Sequence, residues 1–196
     1  MRQLQTIAER VSRAGAIVGG AMLLAAAVII CIDIFLRYAF ARTVGGADDL
    51  SGYALAIAGA WGLSTALLSR SHIRIDTVYV HVKSRAARAA LDVLSLAAFT
   101  VFGALVAWHG WGVVRLSFDS SSRSQSAMEV PLAIPQAIWF VGLAFFLAVA
   151  LLLLSRSIAA WARGDLDSVF RLIGSKSAVA EAKEEITAVE QALDKR

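Results

Sequence analysis

Residues 135–154 read PQAIWFVGLAFFLAVALLLL, twenty residues without a single charge. An α-helix needs about 20 apolar residues to cross roughly 30 Å of hydrocarbon, so this stretch alone predicts a transmembrane helix. Three more stretches follow the same rule: Ala14–Ile32 (AGAIVGGAMLLAAAVIICI), Leu50–Leu68 and Val93–Val114. Four such runs in 196 residues, with 58% hydrophobic and only 17% charged residues, leave no room for a soluble domain of ordinary composition. The expected fold is an all-α integral membrane protein with four transmembrane helices, at about 14–36, 50–69, 88–112 and 135–155.

The basic residues orient it. Fifteen of the 19 Lys and Arg fall before the first span, between the second and third, or after the fourth. The opposite side carries only Arg37, Arg42, Arg115 and Arg123. Short loops rich in Lys and Arg stay cytoplasmic, so both the N- and C-termini are expected in the cytoplasm. The net charge of +4 then finds its counter-charge in anionic membrane lipids, and no nucleic acid is expected as a partner. A cleaved signal ending near Ala39-Phe40-Ala41 is disfavoured: the apolar run is too long for a signal core, and Asp33 and Arg37 interrupt it before that site. Cys31, the single cysteine, excludes an internal disulfide and reads as a packing or lipid-facing residue.

Between the spans the segments differ. Residues 1–13 place Leu4, Ile7 and Val11 at helical spacing among Arg2, Arg10 and Arg13, which suits an interfacial amphipathic helix. The first outer loop contains Gly45-Gly46 and then Asp48-Asp49, negative charge where a second helix would begin. The loop from Arg115 to Ala127 is rich in serine and flexible in composition, and Pro135 fits the first turn of the fourth span. Residues 156–196 read as a cytoplasmic charged helical tail. Within it Val179, Ala182, Ile186, Val189 and Leu193 form the seam of a short coiled coil or of a helix solvated or docked on a partner. Gly15 and Gly19 form a G-x-x-x-G pair, and Gly52, Gly59 and Gly62 give the second span a small-residue face.

Motifs for chemistry are missing. There is no phosphate loop, H-E-x-x-H, C-x-x-C or G-x-S-x-G, so no catalytic, cofactor or metal residue is assigned and no cofactor is expected. No span places an acidic or basic residue near its centre, where ion pathways and substrate sites keep them. Asp33 lies four residues before Arg37 and Asp92 four after Arg88, spacings that pair each couple on one helix face near a span end. His109 sits between Trp108 and Trp111, which read as interfacial anchors. A chain of this kind is expected to work with another membrane subunit.

Several ordered motifs carry a family resemblance. Phe35-Leu36-Arg37-Tyr38 ends the first span, Asp48-Asp49 opens the second, and Gly59-Ala60-Trp61 lies within it. Ser71-His72-Ile73-Arg74-Ile75-Asp76 follows in the basic loop, then Pro131-Leu132-Ala133-Ile134-Pro135 with Trp139 and Gly142. Together, from about Ala14 to Ser155, they resemble the small permease subunit of TRAP transporters, the DctQ-like family. One departure is that relatives often carry Trp shortly before the acidic pair, where this chain has Thr43-Val44-Gly45-Gly46-Ala47.

The resemblance implies a non-enzymatic scaffold in the bacterial inner membrane. Its partners would be the large TRAP permease and a periplasmic substrate-binding protein, and the system would import organic acids, dicarboxylates or sialic acid among them, with sodium. It makes Arg37, Asp48, Asp49 and Trp61 the candidate partner contacts, and His72, Arg74 and Asp76 the candidates for organising the basic loop or facing lipid. Two other readings stay open: a small integral-membrane enzyme, for which His72 with Asp76 is the nearest candidate pair, and a self-associating channel, which would need polar pore-lining stripes.

Overall fold

The computed structural model describes residues 2–70, 82 and 84–174, with side chains described from residue 5 onward. His72, Arg74, Asp76 and the expected seam from Val179 to Leu193 lie outside the described residues. Among the described residues five helices follow one another: α1 (Arg2–Phe40), α2 (Ala47–Leu68), α3 (Arg85–Asp119), α4 (Ala133–Ala162) and the short α5 (Leu166–Ile173). The first four are long and apolar enough to cross a membrane, because in hydrocarbon only a helix satisfies every backbone N–H and C=O within one segment.

The helices outrun the expected spans. α1 has 39 residues, about 58 Å at 1.5 Å per residue and nearly twice the hydrocarbon thickness. It has no break between residues 13 and 14, so the stretch read as a separate interfacial helix forms the first turns of α1. Packing explains the continuity: Ala8 and Ser12 are buried, and Arg156 Nη1 of α4 donates to Gln5 Oε1 at 2.6 Å.

Side by side, the spans form an open row. α1 packs on α2, α2 on α4 and α4 on α3, while α1 and α3 at the two edges do not pack extensively on one another. One end of the row carries the loops 41–46 and 120–132 and is called here the loop end. The other carries residues 70 and 85 and α5, and is called the basic end.

Glycines set the spacing within the row. The expected G-x-x-x-G pair lies on the α1–α2 contact: a Cβ on Gly19 would come within 2.8 Å of the Ala58 Cα, and Gly15 lies against the Trp61 ring. At the same contact the Ser12 and Thr65 hydroxyls are 2.6 Å apart. Gly142 of α4 faces the other side of Trp61, whose indole stacks on Phe145 at 5.9 Å and donates through Nε1 to the Ile138 carbonyl at 3.3 Å. Between α4 and α3, Gly103 receives the Phe146 ring and Gly110 receives Trp139. By contrast, Gly52, Gly59 and Gly62 meet nothing within 4 Å, so that small-residue face of α2 has no partner within the described chain.

α5 went unread in the sequence as a separate element. α4 continues through the expected span end at 155 as far as Ala162, and Gly164 at φ 74° then reverses the chain. Asp165 caps α5 by accepting from the Ser168 backbone N–H at 3.0 Å and from its hydroxyl at 2.5 Å. Val169 and Ile173 are buried against α3 and α4. The signal was present as Leu166, Val169, Phe170 and Ile173 at helical spacing, but within a stretch that composition assigned to a charged tail.

Two predictions follow from these contacts. Gly19→Leu should destabilise the detergent-solubilised protein by about 1–3 kcal/mol, because the approach of two backbones leaves nowhere for the side chain to go. Gly20→Leu, where nothing lies within 4 Å, should leave the melting temperature nearly unchanged; equal losses would refute the packing role of Gly19. The Ser168 hydroxyl and backbone N–H, with Arg171 and Arg163 nearby, hold the Asp165 carboxyl below its ordinary value. Its cap therefore stabilises α5 fully above the unfolded-state value of about 3.9 and loses that contribution as pH falls through the lower folded value. Hydrogen exchange of the α5 amides, corrected for intrinsic rate, should show protection lost over that acid range, and Asp165→Ala should show the loss already at neutral pH.

Candidate functional site

The loop end is where the polar candidates meet. α1 runs to Phe40, and Asp33, nearly two turns before its end, is 4% exposed despite its charge. Its carboxylate gathers three donors from the turn that follows: Thr43 Oγ1 at 2.6 Å, the Val44 backbone N–H at 2.7 Å and Arg37 Nη2 at 2.5 Å. A carboxylate accepts several such bonds at once, and each ties the loop back to the helix. The sequence spacing correctly paired Asp33 with Arg37; it could not show that Thr43 and Val44 fold back onto the same oxygens.

After that turn the chain must reverse sharply. Gly45 and Gly46 do so at φ 70° and 83°, conformations that residues with a Cβ rarely adopt. They also leave room for the other loop, since Ala127 lies against Gly45 and Met128 against Gly46. α2 then opens with Asp48 and Asp49 in its first turn, where a negative charge complements the helix dipole.

The serine-rich segment is more ordered than its composition suggested. The Ser124 N–H donates to the Val130 carbonyl at 2.9 Å and the Leu132 N–H to Ser122 at 3.0 Å, and a bridge pairs Arg123 with Pro131. This small hairpin turns Ser124 inward, where its hydroxyl donates to the Asp49 carboxylate, 75 residues away in sequence. Two loops that join different helix pairs are thus knitted into one surface.

The four candidate contacts do not all lie on it. Arg37 and Asp48 are exposed there, Arg37 with 64% of its side chain accessible. Asp49 is half-buried and engaged with Ser124. Trp61 lies deeper, between α1 and α4, and most of its recognisable contacts are within the chain. Residues missed by the sequence reading are Asp33 as a hub, Thr43 and Ser124. Tyr38, 92% exposed, and Trp108, 77% exposed, stand on the outer surface of the helices towards this end. Among the described residues no three of His, Cys, Asp and Glu converge as a metal site would require.

Four helices long and apolar enough to cross a membrane, in an open row with a knitted polar surface at one end, define a multi-pass membrane protein. The family model for the DctQ component of tripartite ATP-independent periplasmic transporters matches residues 26–160, and the chain belongs to that family. The matched region takes in the hub at Asp33, both knitted loops and nearly all of α4. Searches of curated proteins and of solved structures gave no match.

If Asp33 anchors the first loop, Asp33→Asn with Thr43→Val should raise the exchange rate of the Val44 amide by about tenfold or more, from the loss of charge-assisted bonds. An unchanged rate, measured by hydrogen exchange in detergent, would mean that the loop is held by other contacts.

Proposed function

We propose that the chain is the small membrane subunit of a TRAP transporter, a non-catalytic scaffold that pairs with the large permease for sodium-coupled import of organic acids. It lies in the bacterial inner membrane with both termini in the cytoplasm, which places the loop end in the periplasm. The observation that carries this reading is the family match from the latter part of α1 through α4, together with four spans that have no charged residue near their centres. A subunit that conducted substrate or ions itself would be expected to keep ionisable groups there.

The open row supports the scaffold role. Only 11% of the apolar window of α1 is buried, against 33% for α3 and for α4, so wide apolar flanks are left for lipid and for the large permease. The knitted loops present Arg37 and Asp48 outward, charges of both signs suited to a periplasmic binding protein that must dock and leave. The substrate itself, dicarboxylate, sialic acid or another organic acid, would be selected by the partners.

Arg37→Ala combined with Asp48→Ala should lower uptake about fivefold or more in vesicles reconstituted with permease and binding protein, as expected when charges at an interface rim are removed. The melting temperature of the subunit should fall only modestly, because Asp48 is exposed and Asp33, though it loses Arg37, keeps its bonds from Thr43 and Val44. Arg37→Lys with Asp48→Asn, which keeps a cation beside Asp33, separates a lost contact from a loosened loop. Unchanged transport would count against the outer contact surface, and failure to co-purify with the large permease would count against the scaffold reading as a whole.

A further inference from the structure

α5 joins parts of the molecule that otherwise have little to do with each other. With eight residues it is far too short to persist as a free helix in water, so its existence depends on docking. Val169 and Ile173 supply the buried anchors. Around them, two arginines arrive from different helices. Arg85, the first residue of α3, donates through Nη2 to Asp167 Oδ1 at 2.5 Å, and its guanidinium lies 5.8 Å from the centre of the Phe170 ring. Arg70, two residues beyond the end of α2, donates through Nη1 to the Phe170 backbone carbonyl at 3.4 Å. Phe170 therefore receives both ends of the α2–α3 connection.

This matters because α2 and α3 are not neighbours in the row; α4 stands between them. The connection between α2 and α3 must span that gap, and α5 holds its two ends over the tip of α4. Arg70 sits at φ 60°, a left-handed conformation that costs a residue with a Cβ, and its bond to Phe170 helps to hold it there.

The attachment divides between an apolar face and an exposed polar one. The Arg85 and Asp167 side chains are 65% and 71% exposed, so their attraction is small and screened by salt. Val169 and Ile173 of α5 are fully buried and Leu166, Phe170 and Leu172 are partly buried against the same core, while Gly164 supplies a pivot between α4 and α5. A single short helix beyond a glycine pivot can open locally while the rest stays folded, and its exposed polar bonds then shift the balance.

We propose that α5 is a reversible, salt-sensitive clasp that gathers the basic ends of α2 and α3 when docked and lets them separate when released. The clasp stands on the docked geometry and is independent of the transport reading.

Spin labels at Ser69→Cys and Ala86→Cys, in a Cys31→Ser background, read the separation directly by pulsed electron resonance in lipid nanodiscs. At low salt the intact chain should give one narrow distance distribution. Asp167→Asn should lower the docked-to-released ratio by up to about fivefold, the worth of an exposed ion pair, adding a longer, broader component. About 1 M salt should act in the same direction. Phe170→Ala should enlarge that component, and the reversed pair Arg85→Asp with Asp167→Arg should restore the narrow distribution. Tryptophan emission from the Trp61 region, unchanged in Asp167→Asn, would show that the row itself remains folded. A distribution that stays narrow in Asp167→Asn, in Phe170→Ala and in high salt would overturn the proposal, as would a broad one in the intact chain at low salt.

Discussion

Trp61 is the wedge on which the row depends. In hydrocarbon there is no hydrophobic drive to press one apolar helix on another, so association relies on close van der Waals fit and on the few polar groups that find partners. The indole fills the angle between α1 and α4, against Gly15 on one side and Gly142 on the other, while its Nε1 donates to the Ile138 carbonyl and its ring stacks on Phe145. A bulky flat ring between two glycines gives three helices one shared contact. The neighbouring contacts repeat the device with other partners: Gly19 on Ala58, Gly103 on Phe146, Gly110 on Trp139.

With spacing set in the membrane, the ends of the row are tied by polar chemistry. At the loop end Asp33 collects Thr43, Val44 and Arg37, and Asp49 takes Ser124 from the other loop. At the basic end α5 takes Arg70 and Arg85. The two ends differ in burial. Asp33 and Ser124 are buried where they bond, whereas the Arg85–Asp167 pair is open to solvent. Shielded bonds to a carboxylate are stronger and less sensitive to salt than exposed ion pairs. The loop end is accordingly held by shielded bonds and the basic end by more exposed ones.

Much of this was legible in the order of residues, because membrane burial imposes a length and a composition on each span that no tertiary contact can relax. The four spans, the G-x-x-x-G contact, the Asp33–Arg37 spacing, the acidic start of α2 and the family could all be read that way. Where the reading went astray, composition stood in for geometry. The charge change at residue 13 suggests an element boundary, yet α1 runs from Arg2 without a break, with Ala8 and Ser12 burying a face on the rest of the row. The serines at 120–126 look flexible, yet two backbone bonds and Asp49 order them. Gly52, Gly59 and Gly62 form the small-residue face that was read, but within the described chain nothing packs on it.

By itself, then, the sequence determined that the chain crosses a membrane four times and belongs with the DctQ components, since hydrocarbon thickness and motif order act locally along the chain. Only the tertiary structure decided that the helices stand in the order α1, α2, α4, α3, that Trp61 wedges between α1 and α4, and that Asp49 and Ser124 close one surface. The reason is that these outcomes rest on contacts between residues far apart in the chain, 53 positions for Ser12 and Thr65 and 77 for Trp61 and Ile138, where the fit of a ring against a glycine or a hydroxyl against a carboxylate leaves no periodic trace in sequence.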